Sequence, residues 1–193
     1  MNKKIIVFPK NGKPALADDN WRIWGLPITG IPGKIAENPE ALADQTLPTG
    51  KVLVPFGWWL DHVDKPEILT RALQGNIGVW FATNDDILKH TDIIESGRKL
   101  WPLVAAHFPI FRDGRSFSTA ALLRNRFEWQ GEVRAIGDVL IDQLLQMARV
   151  GFDSFDLRAD QNLNLGLKQF NLYTAITQNS WREVRSTLAT EPA

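Results

Sequence analysis

The chain has 193 residues, a length that favours one domain with an extension. Its 22 lysine and arginine residues balance its 22 aspartate and glutamate residues, which excludes the basic excess of a general nucleic-acid binder or a polybasic membrane-surface protein. Cysteine is absent, so disulfides, thiolate zinc sites, cysteine-ligated iron–sulfur clusters and thiol nucleophiles are excluded as well.

Residues 1–49 are predicted to form a proline-rich N-terminal extension. Seven of the eleven prolines lie at or before Pro55, and proline removes backbone donors, so long helices are not expected there. Apolar runs predict two short strands, Ile5–Phe8 and Trp21–Trp24, with a turn signal at Asn11–Gly12 between them. We expect the tryptophans of the second strand to pack the extension against the rest of the chain.

Residues 50–193 alternate short apolar runs with longer amphipathic stretches, a rhythm typical of βα units around a parallel sheet. Strands are predicted over Val52–Phe56, Gly78–Ala82, Leu103–Phe108, Val133–Ile136 and Ser154–Leu157. Helices are predicted over Lys65–Gln74, Asp86–Ser96, Ser118–Phe127, Val139–Val150, Asn162–Thr177 and Trp181–Leu188. These five or six units are too few for an eight-stranded barrel, which needs about 250 residues. We therefore predict an α/β fold with a mostly parallel sheet, either open or an incomplete barrel, and a homodimer that covers its open edge.

No targeting segment is recognisable, because only a short apolar run lies between Lys4 and Pro9. No apolar run approaches the ~20 residues of a membrane-spanning helix. The sequence therefore predicts a cytoplasmic protein without a membrane partner.

The established motifs for nucleotide, nucleophile and metal sites are missing. There is no G-x-G-x-x-G, no G-x-x-x-x-G-K-[ST] and no G-x-S-x-G. The three histidines, His62, His90 and His107, lie far apart and lack metal-ligand spacing. We therefore expect neither a metal nor an organic cofactor.

The segment 108–118 follows a predicted strand and opens a predicted helix. Its polar and turn-forming candidates are Asp113, Gly114, Arg115, Ser116 and Ser118. The glycine predicts a turn, the serines can cap the helix, and the arginine places a guanidinium beside the helix N-terminus, a combination that can bind an anion. The alternative is an ordinary capped turn, in which Asp113 forms an Asx turn and Arg115 an ion pair.

Charged residues occupy two of the predicted strands, although a parallel sheet covered on both faces should be apolar. Strand alternation puts Arg134 on one face with Asp138, and Asp156 on one face with Arg158. These charges either pair across neighbouring strands or line the inside of a partly closed sheet. Asp138 either caps the next helix or acts with Arg158 at the carboxyl ends of the strands, where parallel sheets hold their sites. Arg115, Arg134 and Arg158 together are predicted to bind a small oxyanion such as sulfate, sulfite or phosphate.

Several segments together resemble one bacterial family of unknown function. They are Phe-Pro-x-Phe-x-Asp-Gly-Arg-Ser-x-Ser (108–118), Leu-Leu-Arg (122–124), Gly-Glu-Val-Arg-Ala-Ile-Gly-Asp-Val-Leu (131–140), Asp142-Gln143 and Gly-Phe-Asp-Ser-Phe (151–155). Members of that family are usually encoded beside the assimilatory sulfite and phosphoadenylylsulfate reductases, and often carry the label "oxidoreductase probably involved in sulfite reduction". The resemblance implies a pathway more firmly than a reaction.

The resemblance implies a functional role for the residues that match the family's motifs. These are Asp113, Gly114, Arg115, Ser118, Arg124, Arg134, Gly137, Asp138, Asp142 and Gln143. The two glycines have an alternative, purely conformational role. Family members often carry cysteine where this chain has Val150, which argues against thiol chemistry.

Three functions fit these residues and the resemblance. The first is an accessory protein of assimilatory sulfate and sulfite reduction. Through the face that carries Arg115, Arg134 and Arg158, it would bind either a sulfur oxyanion or a subunit of sulfite reductase or phosphoadenylylsulfate reductase. The second is a small α/β enzyme acting on an anionic, phosphorylated or sulfated metabolite, with Asp113 or Asp138 as acid or base. The third is a non-catalytic scaffold. A concave pocket holding these residues would favour the first two, and a flat or convex surface the third.

Overall fold

One curled, open sheet, a half-barrel, organises the computed structural model, which describes residues 3–26, Leu42, 45–173 and 178–182. Its strands within these residues are β1 (Lys4–Val7), β2 (Ala15–Asp18), β3 (Arg22–Ile23), β4 (Val52–Pro55), β5 (Ile77–Phe81), β6 (Leu103–Phe108), β7 (Glu132–Gly137) and β8 (Ser154–Phe155). They follow one another across the sheet in the order β2-β1-β8-β7-β6-β5-β4-β3. The predicted α/β fold with a mostly parallel sheet is confirmed in this form.

Strands β3 to β8 are parallel and lie side by side in chain order, whereas β1 is antiparallel to both β8 and β2. The N-terminal segment thus supplies three strands of the same sheet, two at one edge and one at the other. Strand β2, which pairs with β1 across the turn at Asn11–Gly12, was not predicted from the sequence. Residues 27–41 and 43–44 lie outside the described part of the chain.

The helices are α1 (Phe56–His62), α2 (Pro66–Leu73), α3 (Thr91–Leu100), α4 (Arg115–Asn125), α5 (Leu144–Val150) and α6 (Leu163–Lys168). Among the described residues, single turns of 3₁₀ helix lie at Ile87–His90, Ile141–Gln143 and Gln169–Asn171. Helix α1 was not predicted, and α5 begins five residues later than predicted because the backbone is still extended at Leu140. Most of the predicted helix Trp181–Leu188, and residues 174–177 of the one before it, lie outside the described residues.

The helices cover one face of the sheet, as expected when parallel strands follow in chain order with right-handed crossovers. The larger apolar cluster joins the helices to this face, where Val79, Val104 and Ala135 are fully buried. A smaller cluster without helix residues fills the concave face around Trp80, against which Trp21 packs. None of the helices in the described ranges is long and apolar enough to cross a membrane.

Candidate functional site

The loop that joins β6 to α4 is held rigidly at the carboxyl edge of the sheet. We call residues 109–114 the Phe111 loop. The backbone N–H of Phe111 donates to Asp138 Oδ2 at 2.8 Å, and Gln143 Nε2 donates to the Phe111 carbonyl at 2.6 Å. The Asp113 N–H closes a turn by donating to the Ile110 carbonyl. The main chain is therefore fixed on both sides of Phe111, whose side chain is 45% exposed.

Asp138 lies at the end of β7 and does not cap a helix, because the next 3₁₀ turn has Leu140 as its N-cap. Its second carboxylate oxygen, Oδ1, accepts from Arg158 Nη1 at 2.7 Å. Arg158 also donates through Nε and Nη2 to Asp160, at 2.7 and 2.8 Å. This fork lowers the pKa of Asp160 to about 2. Both carboxylates neutralise the guanidinium that the sequence analysis assigned to an oxyanion.

Arg115 is paired in the same way with its neighbour Asp113. Its Nε and Nη2 donate to the two carboxylate oxygens at 3.0 and 2.7 Å, and its backbone N–H donates to Asp113 Oδ1. These hydrogen bonds lower the pKa of the Asp113 carboxyl. The Asx turn and local ion pair foreseen as the alternative are both present, with the Arg115 side chain 62% exposed.

The serines after Arg115 do not cap α4, contrary to the sequence analysis. Gly114 is the N-cap residue and makes no side-chain cap, and the Arg115 N–H at the start of the helix donates to Asp113 Oδ1 instead. Ser116 is buried, and its hydroxyl donates to the His107 carbonyl at 2.5 Å. Ser118 lies on the exposed side of the helix.

Arg134 lies apart from the other two arginines, buried on the concave face beside the start of β7. Its Nη1 donates to Asp19 at 2.8 Å, its Nη2 and Nε donate to Glu132, and its Nε also donates to Ser154. Asp156 pairs instead with Lys3 at 2.5 Å. The structure therefore brings Arg115 and Arg158 to the carboxyl edge and leaves Arg134 in a buried network.

Arg124, a match to the family motif, is also buried. It donates to the carbonyls of Gly151, Trp129 and Gly131 and pairs with Asp153. The Trp181 ring packs over its guanidinium, 4.1 Å from the ring centroid. Asp142, the remaining acidic match, is exposed on the turn before α5.

His107 is a residue whose position the sequence analysis missed. It is 7% exposed on the concave face of β6, with its ring edge-to-face with Trp80 at 5.5 Å, and burial lowers the pKa of its imidazole to about 4. The signal was available, since strand alternation places His107 on the same face as Ala105 and Leu103 in an otherwise apolar strand. Within the described residues, the His, Asp and Glu side chains form no group of three that could hold a metal ion.

The two glycines of the family motif, Gly137 and Gly114, differ in whether the backbone geometry at their position requires glycine. Gly137 has a φ of +97°, and a Cβ there would meet the Phe108 carbonyl oxygen and the His107 ring. Gly114 has a φ of −83°, which any residue adopts, and the nearest atom to a Cβ there is 4.0 Å away. Only Gly137 is needed for backbone geometry.

We therefore expect Gly137→Ala to lower the free energy of unfolding by about 1–3 kcal/mol from backbone strain alone. Gly114→Ala is the matched control and should change it by less than about 1 kcal/mol, because its φ suits alanine. Urea unfolding followed by tryptophan fluorescence measures both changes. Equal effects of the two substitutions would contradict the conclusion that only Gly137 is needed for backbone geometry.

Comparison with known proteins gives one match. A family model described as "Bacterial protein of unknown function (DUF934)" matches residues 78–188, more than half of the chain. The matched region contains the Phe111 loop, Asp138 and Gln143. No curated protein and no solved structure matches the chain.

Proposed function

Because this chain belongs to the DUF934 family of bacterial proteins of unknown function, we propose the role that the sequence resemblance implies, an accessory protein of assimilatory sulfite reduction. It acts by binding a reductase subunit through the Phe111 loop. The observation that carries the proposal is the exposed Phe111 ring on a main chain that two residues of the family motif, Asp138 and Gln143, hold in place.

The loop has the composition of a protein-binding hot spot. Such spots centre on a rigid aromatic or arginine side chain that inserts into a pocket of the partner, inside a rim of polar groups that exclude water. Here the Phe111 ring is the aromatic anchor, and the Arg115–Asp113 and Arg158–Asp138 pairs supply the polar groups around it. A rigid loop loses little conformational entropy on binding.

The ion pairs favour a reductase subunit over a free oxyanion as the ligand of this edge. An oxyanion at Arg115 or Arg158 would have to displace Asp113, Asp138 or Asp160, which already engage the guanidinium forks. A protein partner leaves these pairs intact and adds contacts around them. Arg115 lowers the pKa of the Asp113 carboxyl, and both oxygens of Asp138 already accept hydrogen bonds, which weakens the proposed role of these residues as acid or base.

We expect Phe111→Ala to raise the dissociation constant for purified sulfite reductase by about 30-fold or more, the effect of losing a hot-spot side chain. Biolayer interferometry with both purified proteins measures the change, and phosphoadenylylsulfate reductase serves as the second partner to test. The melting temperature should stay at the wild-type value, because the ring is already half in water.

Leu73→Ala is the matched control, since Leu73 is an exposed apolar residue at the end of α2, outside the Phe111 loop. It should bind the reductase as tightly as the wild type does. Failure of the wild-type protein to bind either reductase would overturn the proposal. So would wild-type affinity in Phe111→Ala.

A further inference from the structure

A row of basic side chains follows the amino edge of the sheet, where strands β3 to β7 begin and the helices between them end. Its members are Arg22, Lys51, Arg71, Arg98, Lys99 and Arg126, and we call them the basic row. Adjacent strands lie about 4.8 Å apart, so the row is about 20 Å long. At its β3 end the members are direct neighbours, because the Arg22 N–H donates to the Lys51 carbonyl at 3.0 Å.

Helix C-termini explain only part of the basic row. Arg98 and Lys99 lie in the last turn of α3, and Arg126 is the C-cap residue of α4. These are positions at which a cation stabilises the helix dipole. Arg22 and Lys51 lie outside any helix, at the starts of β3 and β4. A helix dipole therefore does not account for the whole row.

No carboxylate neutralises the basic row within the described part of the chain. Arg71 donates to two backbone carbonyls, and Lys51 lies over the Trp21 ring, contacts that leave both charges in place. Asp18 and Asp19 pair instead with Lys4 and Arg134. The other acidic residues within four positions of the row, none of which forms an ion pair with it, are Glu67, Glu95 and Glu128.

Cations at the carboxyl edge of the same sheet are treated differently by the fold. There Lys89, Arg115 and Arg158 each pair with a carboxylate. The amino edge instead presents five exposed cations to the solvent, Arg22, Lys51, Arg98, Lys99 and Arg126. Cations of one sign along an edge make a positive potential that attracts a negatively charged partner.

We propose that the basic row is a docking surface for a protein partner that presents a row of aspartate and glutamate side chains. A nucleic acid fits less well, because the chain as a whole has no net positive charge with which to attract a long polyanion. A row of about 20 Å matches a protein interface of about 800 Å² per partner. Four of the six members are arginine, a residue that is enriched in protein interfaces.

This surface lies at the end of the parallel strands opposite to the Phe111 loop. The chain can therefore hold a reductase subunit at one edge and the acidic partner at the other. Phe111→Ala should bind the acidic partner as the wild type does, so loss of reductase binding alone leaves this proposal standing.

The test is fluorescence anisotropy of the full-length protein with a labelled poly-L-glutamate peptide long enough to span the row. The wild type should bind the peptide at low ionic strength, and the affinity should fall as salt screens the charges. Lys99→Glu should raise the dissociation constant about tenfold, because it replaces a charge-assisted hydrogen bond with a repulsion. Arg22→Glu, at the other end of the row, should have the same effect and is the second variant if Lys99→Glu does not fold.

Lys89→Glu is the matched control. It makes the same change of residue and charge in the 3₁₀ turn before α3, at the carboxyl edge, where the Lys89 side chain is 77% exposed. Because that position is more than a Debye length from most of the row, the dissociation constant should change by less than about twofold. The proposal is overturned if the wild type does not bind the peptide, or if Lys89→Glu and Lys99→Glu weaken binding equally. It is also overturned if a single-stranded RNA with the same number of charges binds more tightly than the peptide.

Discussion

Arg134→Ala is expected to lower the free energy of unfolding by about 3–5 kcal/mol, as removal of one partner from a buried ion pair does. The Asp19 side chain is 2% exposed and accepts from Arg134, so the substitution leaves a carboxylate buried without its cation. Ser154 and Glu132 lose their contacts with the same guanidinium. Equilibrium urea unfolding, with tryptophan fluorescence and circular dichroism compared for coincidence, measures the change.

Arg115→Ala is the control for this prediction. Its ion pair with Asp113 is exposed to water, and exposed pairs contribute little to stability, so the midpoint of unfolding should stay close to that of the wild type. A further variant that combines Arg134→Met with Asp19→Asn should recover part of the loss, because it no longer leaves a buried charge alone. If Arg134→Ala were no less stable than Arg115→Ala, the buried network would not have the role assigned to it.

The second large effect is a loss of stability in acid that comes from His107. The pKa of its imidazole is about 4 in the folded protein, against about 6.5 in an unfolded chain. Between these pH values the unfolded chain binds a proton that the folded chain does not, so stability falls as the pH falls through this window. A difference of about 2.5 pKa units corresponds to about 3 kcal/mol of stability, present at neutral pH and lost by about pH 4.

Two buried carboxyls change the stability of the fold with pH in the direction opposite to that of His107. Burial raises the pKa of Asp153 and Asp156, so the folded chain binds protons at these carboxyls more readily than the unfolded chain does. Their contribution to the stability of the fold therefore increases as the pH falls. The wild-type curve is therefore the sum of opposing contributions. Comparison of the wild type with His107→Gln isolates the histidine.

The difference in unfolding free energy between wild type and His107→Gln should shrink by about 3 kcal/mol from about pH 7 to about pH 4. NMR titration of the imidazole provides a direct measurement of the same ionisation. A pKa near 6.5 in the folded protein, or parallel curves for the two proteins, would show that His107 is not buried in the way described.

The central strands were predictable because their buried faces make continuous apolar runs bounded by turns. Strand β6 is confirmed at the predicted residues, and β4 and β5 within one residue at each end. Helix α1, which follows β4 directly from Phe56, was not predicted, because an apolar run alone does not separate a buried helix from a buried strand. Strand β2 was missed because its side chains are largely exposed and only its backbone pairing with β1 defines it.

In the candidate site, contacts between residues that are close in the sequence were predictable, whereas contacts between distant residues were not. The Asp113–Arg115 pair and the Arg158–Asp160 pair join residues two apart, so the local alternative to an anion site was visible in the sequence. The pairing of Arg134 with Asp19 was not visible, because the two residues are 115 apart. The fixed main chain at Phe111 was not predicted either, because Asp138 and Gln143 hold it from a different part of the chain.

The antiparallel pairing of β1 with β8 determines when β1 can reach its place in the sheet during synthesis of the chain. Lys3 and Asp156, which form an ion pair at this junction, are 153 residues apart. At a synthesis rate of about 5–20 residues per second, β1 leaves the ribosome roughly 8–30 s before β8 does. Ile5 and Ile6, both buried in the finished fold, can pair early with β2 but lack their neighbours from β8 for that time. The nascent chain therefore exposes an apolar strand of the kind that chaperones protect, and β1 joins the parallel strands only after β8 has been made.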